Sequence, residues 1–190
     1  MFRDTKKLTK SGHILLFILA AGELVGTLSK MGKLSYTLYP EYEDYIAEKR
    51  LNNRLYQLQK QGWLKFEYKE AKRIIKLTKK GELEALFQKA HTESREGKWD
   101  GKWRMVIFDI PENARNVRDQ LRRLLKGFGF QALQASVYVY PLALSTAATE
   151  FLKKSGLMRY IRFVRVDSFD DDADLRKQFK KLLRKNHGRE

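Results

Sequence analysis

Residues 44–81 read DYIAEKRLNNRLYQLQKQGWLKFEYKEAKRIIKLTKKG, and the hydrophobic period changes twice within them. Ala47, Leu51, Leu55 and Leu58 recur at helical spacing, which predicts a helix from Asp44 to Lys60, stopped by Gly62. At about 100° per residue these four share one face. Lys49, Asn53, Tyr56, Gln57 and Lys60 share the opposite face, with Arg50 and Arg54 at its edges and no carboxylate among them. Trp63 to Tyr68 (WLKFEY) then alternates, and Ile74 to Leu77 (IIKL) supplies a second β-prone run. Lys69, Glu70, Ala71 and Lys72 form a charged turn between them, so a hairpin is expected with Lys69, Lys72 and Arg73 at and beside its tip.

Upstream, residues 12–21 form an apolar helix that Ser11 can cap and Gly22 closes. Residues 23–30 (ELVGTLSK) read as a short second helix and residues 31–42 as a loop. Downstream, Thr78 caps a further helix. Helix, helix, helix, hairpin, helix is the order of a winged helix-turn-helix. The pattern Asn53-Arg54-Leu55, Leu58, Gly62-Trp63-Leu64 and Leu77-Thr78-x-x-Gly81 resembles that of winged-helix regulators. Asn and Gln can pair with adenine edges, Arg with guanine, and Lys with phosphate. The expected DNA contacts are therefore Lys49, Arg50, Asn53, Arg54, Tyr56, Gln57 and Lys60 on the helix, and Lys69, Lys72 and Arg73 on the wing.

Composition agrees with a polyanionic partner. The chain has 190 residues with 39 Lys and Arg against 23 Asp and Glu, a net charge of +16. Divided after Arg95, each half contributes +8 (19 − 11 and 20 − 12), so the excess is not a tail. At 43% hydrophobic and 12% aromatic residues the chain can bury a core, which excludes wholesale disorder. The absence of cysteine excludes disulfides, thiolate metal sites and a cysteine nucleophile. His13, His91 and His187 share no ligand spacing. The longest apolar run, residues 14–21, falls short of the roughly 18 residues a membrane span needs, so a soluble cytoplasmic protein without a membrane partner is expected.

In the second half, Trp103 to Ile110 (WRMVIFDI) is an apolar strand stopped by Pro111. Glu112 or Asn113 can cap the next helix, whose stripe is Val117, Leu121, Leu124, Leu125 and Phe128 and whose other faces carry Arg115, Arg118, Arg122 and Arg123. An extended segment over 130–140 has room for a bend, a helix capped by Ser145 covers 146–157, and a strand covers 160–166. This order predicts a ferredoxin-like βαββαβ domain, making the fold class α+β. The expected division is a winged helix over 1–90, a polar linker over 91–100, a ferredoxin-like dimerisation domain over 101–169 and a basic C-terminal helix over 170–190.

Trp103-Arg104-x-Val-Ile-Phe-Asp109-Ile-Pro-Glu112, then Arg115, Arg118, Leu121-Arg122, Gly129-Phe130 and Leu133-Gln134-x-Ser136-Val-Tyr-Val-Tyr-Pro141 closely resemble the middle domain of PaaX-type transcriptional repressors. That domain is itself similar to the small CRISPR-associated endonuclease of the spacer-acquisition complex. The resemblance implies a homodimeric regulator of double-stranded DNA, most simply a repressor, with no cofactor. Such repressors continue into a C-terminal effector-sensing domain, whereas this chain ends about 20 residues after the last strand, and no small-molecule effector can be named. The rival implied by the resemblance is a magnesium-dependent nuclease, or a scaffold of the adaptation complex. Asp109 would then be its catalytic metal ligand, meeting its symmetry mate across a dimer, with Ser136 nearby. The same Asp109 can instead belong to a turn that caps the next helix and binds nothing, and the regulator is preferred.

Overall fold

A computed structural model describes residues 9–25, 34, 37–38, 40–41, 43–70, 72–94 and 97–184. The chain divides between Lys89 and Ala90 into two compact units of mixed α and β structure. Among the described residues no helix is long and apolar enough to cross a membrane.

The first unit contains α1 (Lys10–Ala21), β1 (Leu24–Val25), α2 (Asp44–Lys60), β2 (Leu64–Lys69), β3 (Lys72–Leu77) and most of α3 (Lys79–Glu93). Its strands form an antiparallel sheet in the order β1-β3-β2. The apolar face of α2 behaves as its spacing requires: Ala47, Leu51, Leu55 and Leu58 are buried in one cluster with Ile14, Leu15 and Ile18 of α1 and with Leu64 and Ile75 of the hairpin. That burial fixes the rotation of α2 and leaves its polar face outward. Helices plus a hairpin in this arrangement are consistent with a winged helix.

Three local expectations are corrected. Thr9, not Ser11, caps α1, its hydroxyl accepting from the Gly12 N–H at 3.0 Å, and Ser11 lies inside the helix. Leu24 and Val25 are extended and pair with Ile75 and Ile74, so no helix begins at residue 23; β-branched Val25 is a weak helix former, and pairing with β3 decides the conformation. Residues 26–30 of that expected helix lie outside the described residues. Leu34, Thr37 and Leu38 are helical where a loop is expected. Leu34 and Leu38, one helical turn apart, are buried in the same core.

The Leu77-Thr78-x-x-Gly81 pattern has a packing reason. The Thr78 hydroxyl donates to the Gly62 carbonyl at 2.6 Å and accepts from the Gly81 N–H at 3.1 Å, and the Thr78 N–H donates to the Trp63 carbonyl. A Cβ on Gly81 would lie 1.9 Å from the Trp63 carbonyl oxygen, a backbone atom with no rotamer to escape into. Gly81→Ala is therefore expected to destabilise the first unit by about 1–3 kcal/mol, read as a lower urea midpoint. An unchanged midpoint would show that α3 can move away without loss.

The second unit contains the end of α3, β4 (Trp103–Phe108), a 3-10 turn (Glu112–Ala114), α4 (Arg115–Gly127), β5 (Gln131–Gln134), β6 (Val137–Tyr140), α5 (Thr146–Lys154), a 3-10 turn (Leu157–Tyr160), β7 (Ile161–Val166), α6 (Ala173–Gln178) and α7 (Lys180–Arg184). The four strands form an antiparallel sheet in the order β5-β6-β4-β7 along a β-α-β-β-α-β chain path. Leu121, Leu124, Leu125 and Phe128 of the α4 stripe are buried, and the Phe128 ring meets Phe151 of α5 edge-on. Ser145 caps α5 through the Ala148 N–H.

Three expectations shift here as well. Helix α3 continues to Glu93, into the segment expected as linker. His91 is buried there and its Nδ1–H donates to the Gly127 carbonyl at 2.8 Å, while the Tyr140 hydroxyl donates to the Ser94 carbonyl. These tertiary bonds give a polar stretch a structured role that periodicity cannot reveal. Glu112 and Asn113 cap no helix with their side chains, because a 3-10 turn intervenes and Glu112 instead accepts from Arg118. The C-terminal helix is two short helices broken at Phe179, a buried residue that packs on Trp103 and Tyr140. Trp103 is fully buried among Trp99, Phe169 and Phe179, and its indole N–H donates to Asp172 at 3.2 Å.

Candidate nucleic-acid interface

Because α2 buries its leucines, Lys49, Arg50, Asn53, Tyr56, Gln57 and Lys60 are all exposed. Arg54 is not on this open face. It is half-buried, donates to Gln57 Oε1 at 3.2 Å and borders a cavity of about 570 Å³ with Lys10, Gln61, Trp63 and Glu84. Burial pushes the Glu84 carboxyl above the usual carboxylate range, against the opposing effect of a hydrogen bond from Gln88.

In the hairpin, Lys69 and Lys72 are paired directly across the turn and exposed, and Glu70 at the turn takes a left-handed φ of 49°. The register places Tyr68 opposite Arg73 on the other face of the ribbon, because successive side chains alternate. Arg73 therefore does not join the two lysines. It is half-buried, donates to Asn52 Oδ1 at 2.6 Å, and stacks over Phe66 and Tyr56 at 5.1 and 5.8 Å from their ring centres. Tyr56 meets Phe66 edge-on at 5.4 Å. On the lysine face, hydrogen bonds from Lys65 and Lys76 push the Glu67 carboxyl down to about 2. Tyr68, 72% exposed, is the most exposed large apolar residue described on the hairpin and is not among the expected contacts. Alternation places it on the face of Leu64 and Phe66, and only the progressive exposure along β2 shows that it leaves the core.

In the second unit, Asp109 follows β4 and is exposed, with its backbone N–H donating to the Tyr160 carbonyl at 3.1 Å. The next acid, Glu112, is taken by Arg118, whose hydrogen bond holds that carboxyl below its usual range. Ser136 is half-buried and its carbonyl accepts from the Phe108 N–H. Among the described residues no three His, Asp or Glu side chains gather where they could hold a metal ion. Asp109 thus stands as one exposed carboxylate, with the neighbouring Glu112 engaged by Arg118. Arg118 also donates to the Ile110 carbonyl and Arg122 to the Ala135 carbonyl, so both brace the turns around β4 and β5. Arg115, Arg123 and Lys126 remain exposed.

The two units thus define a mixed α+β protein with an exposed cationic helix face and hairpin turn in the first, and a four-stranded antiparallel sheet with a β-α-β-β-α-β path in the second. Residues 96–179 match the family model described as the PaaX protein central Cas2-like domain, and the second unit carries that domain. A search of the curated proteins gave no match.

Proposed function

We propose that the chain is a sequence-specific transcriptional regulator, most simply a repressor, whose first unit is a winged helix that reads duplex DNA. The observation that carries this reading is the exposed face of α2, where Lys49, Asn53, Gln57 and Lys60 stand together opposite a buried leucine stripe. A helix of this kind suits the major groove, with Asn53 and Gln57 toward base edges and the lysines toward phosphate. Arg50 and Tyr56 widen the same face, Lys69 and Lys72 offer phosphate contacts from the turn, and Arg54 lies at the margin.

A homodimer built on the second, ferredoxin-like unit completes the proposal. Val106 pairs with Tyr138 and Phe108 with Ile161 on the buried face of its sheet, whereas Ile107 and Val164 on the opposite face are each 40% exposed. An apolar sheet face of this kind suits burial against a second copy. Two-fold symmetry then predicts a palindromic site with half-sites a whole number of helical turns apart.

Titration of a labelled random-sequence duplex at rising salt tests the DNA-binding claim. The logarithm of the association constant should fall linearly with the logarithm of salt. Binding that ignores salt, or no binding at all, sinks the proposal. The same reading gives Asp109 no part in chemistry: duplex DNA incubated with magnesium should stay intact with the natural protein and with Asp109→Ala alike. Cleavage by the natural protein that Asp109→Ala abolishes would replace the regulator with a nuclease.

A further inference from the structure

We infer that Arg73 is a positioning residue that locks the hairpin onto α2, and not a phosphate contact. This rests on the winged-helix reading above, and deepens it by separating the cations that hold DNA from the one that aligns the two DNA-facing elements.

Three partners of the guanidinium come from both elements it would join. Asn52 Oδ1 on α2 accepts from its Nη2 at 2.6 Å. Tyr56, one turn further along α2, and Phe66 of β2 lie under the cation at 5.8 and 5.1 Å and touch each other edge-on. A planar guanidinium can stack on aromatic rings while donating in its own plane, and an ammonium cannot match both contacts. The half-buried position spends the cation inside the protein, while Lys69 and Lys72 project from the opposite hairpin face.

Tyr56 lies on the same exposed face as Asn53, Gln57 and Lys60. Whatever holds its ring also sets the angle between that face and the turn lysines. Loss of the clamp should therefore misalign two sets of contacts without removing any of them. The consequence is reduced discrimination between sequences, with the number of phosphates neutralised left unchanged.

The test compares the natural protein with Arg73→Gln, Arg73→Lys, Asn52→Ala and Lys72→Gln, each as the full chain. Three quantities are read: the ratio of binding to the preferred and to a scrambled duplex, the salt slope of that binding, and hydrogen exchange of the β2–β3 amides without DNA. Arg73→Gln should lower the preferred-to-scrambled ratio about tenfold, speed hairpin exchange and leave the salt slope unchanged. Asn52→Ala, which removes no charge, should move the ratio in the same direction. Arg73→Lys, which keeps the charge and loses the stacking plane, should resemble Arg73→Gln. Lys72→Gln should lower the slope by about one and preserve the ratio. The inference is overturned if Arg73→Gln lowers the slope by about one while ratio and exchange stay unchanged, or if Arg73→Lys behaves as the natural protein in all three. Should the natural protein bind no duplex, the winged-helix reading fails by itself. Hairpin exchange then still decides whether Arg73 clamps the hairpin.

Discussion

Replacing Lys49, Lys60, Lys69 and Lys72 together with Gln is expected to weaken duplex binding about a thousandfold at physiological salt and to lower the salt slope by roughly 3.6. Each lysine that neutralises a phosphate releases about 0.9 of a condensed counterion, and the contributions of four separated contacts add. All four side chains are exposed, and none has a hydrogen-bond or ion-pair partner among the described residues, so the fold should survive. Circular dichroism and thermal melting provide that control. Anisotropy titrations at several salt concentrations measure the effect, and an unchanged slope would move the DNA-facing surface away from α2 and the hairpin turn.

Trp103→Ala is expected to destabilise the second unit by about 3–5 kcal/mol. The indole is fully buried, touches Trp99, Phe169 and Phe179, and holds Asp172 through its N–H. Removing it opens a cavity at the end of β4 and leaves Asp172 with Arg176 as its remaining side-chain partner, at 2.7 Å. The two short C-terminal helices should loosen first, since Phe179 packs on the lost ring. Urea unfolding followed by circular dichroism would show the loss as an earlier transition, and protease sensitivity near residues 170–184 would locate it. A cost below about 1 kcal/mol would mean that neighbouring rings collapse into the space.

The readings that followed from periodicity agree with the structure where one element decides them alone. Leu51, Leu55 and Leu58 on a 17-residue helix leave one rotation that buries them, and the polar face follows. The same holds for Leu121, Leu124 and Leu125 on α4. Misreadings arose where a partner distant in sequence decides. Leu24 and Val25 are extended because β3 lies beside them, some 50 residues later. His91 and Ser94 look like linker residues until Gly127 and Tyr140 supply their hydrogen bonds. Trp103 is plainly apolar, but its dependence on Asp172 and Phe179 has no local signature.

Within the candidate interface the same division applies. The exposure of Lys49, Asn53, Gln57 and Lys60 is legible from helical geometry alone. Arg73 sits one residue beyond Lys72, and composition groups it with the turn lysines. Strand alternation turns it to the opposite face, and only the pairing of Tyr68 with Arg73 reveals which face that is. The net charge of +16 thus overstates the cations free to meet a polyanion, because Arg73, Arg118 and Arg122 are engaged within the protein.

Selection of bound sequences from a random duplex pool, using the natural protein and Asn53→Ala in parallel, tests the central claim most directly. Sequence reading by a dimeric winged helix predicts enrichment of a palindrome whose half-sites lie a whole number of turns apart, with Asn53→Ala relaxing the preference at one position in each half. Recovery of unenriched sequence from the natural protein would contradict it.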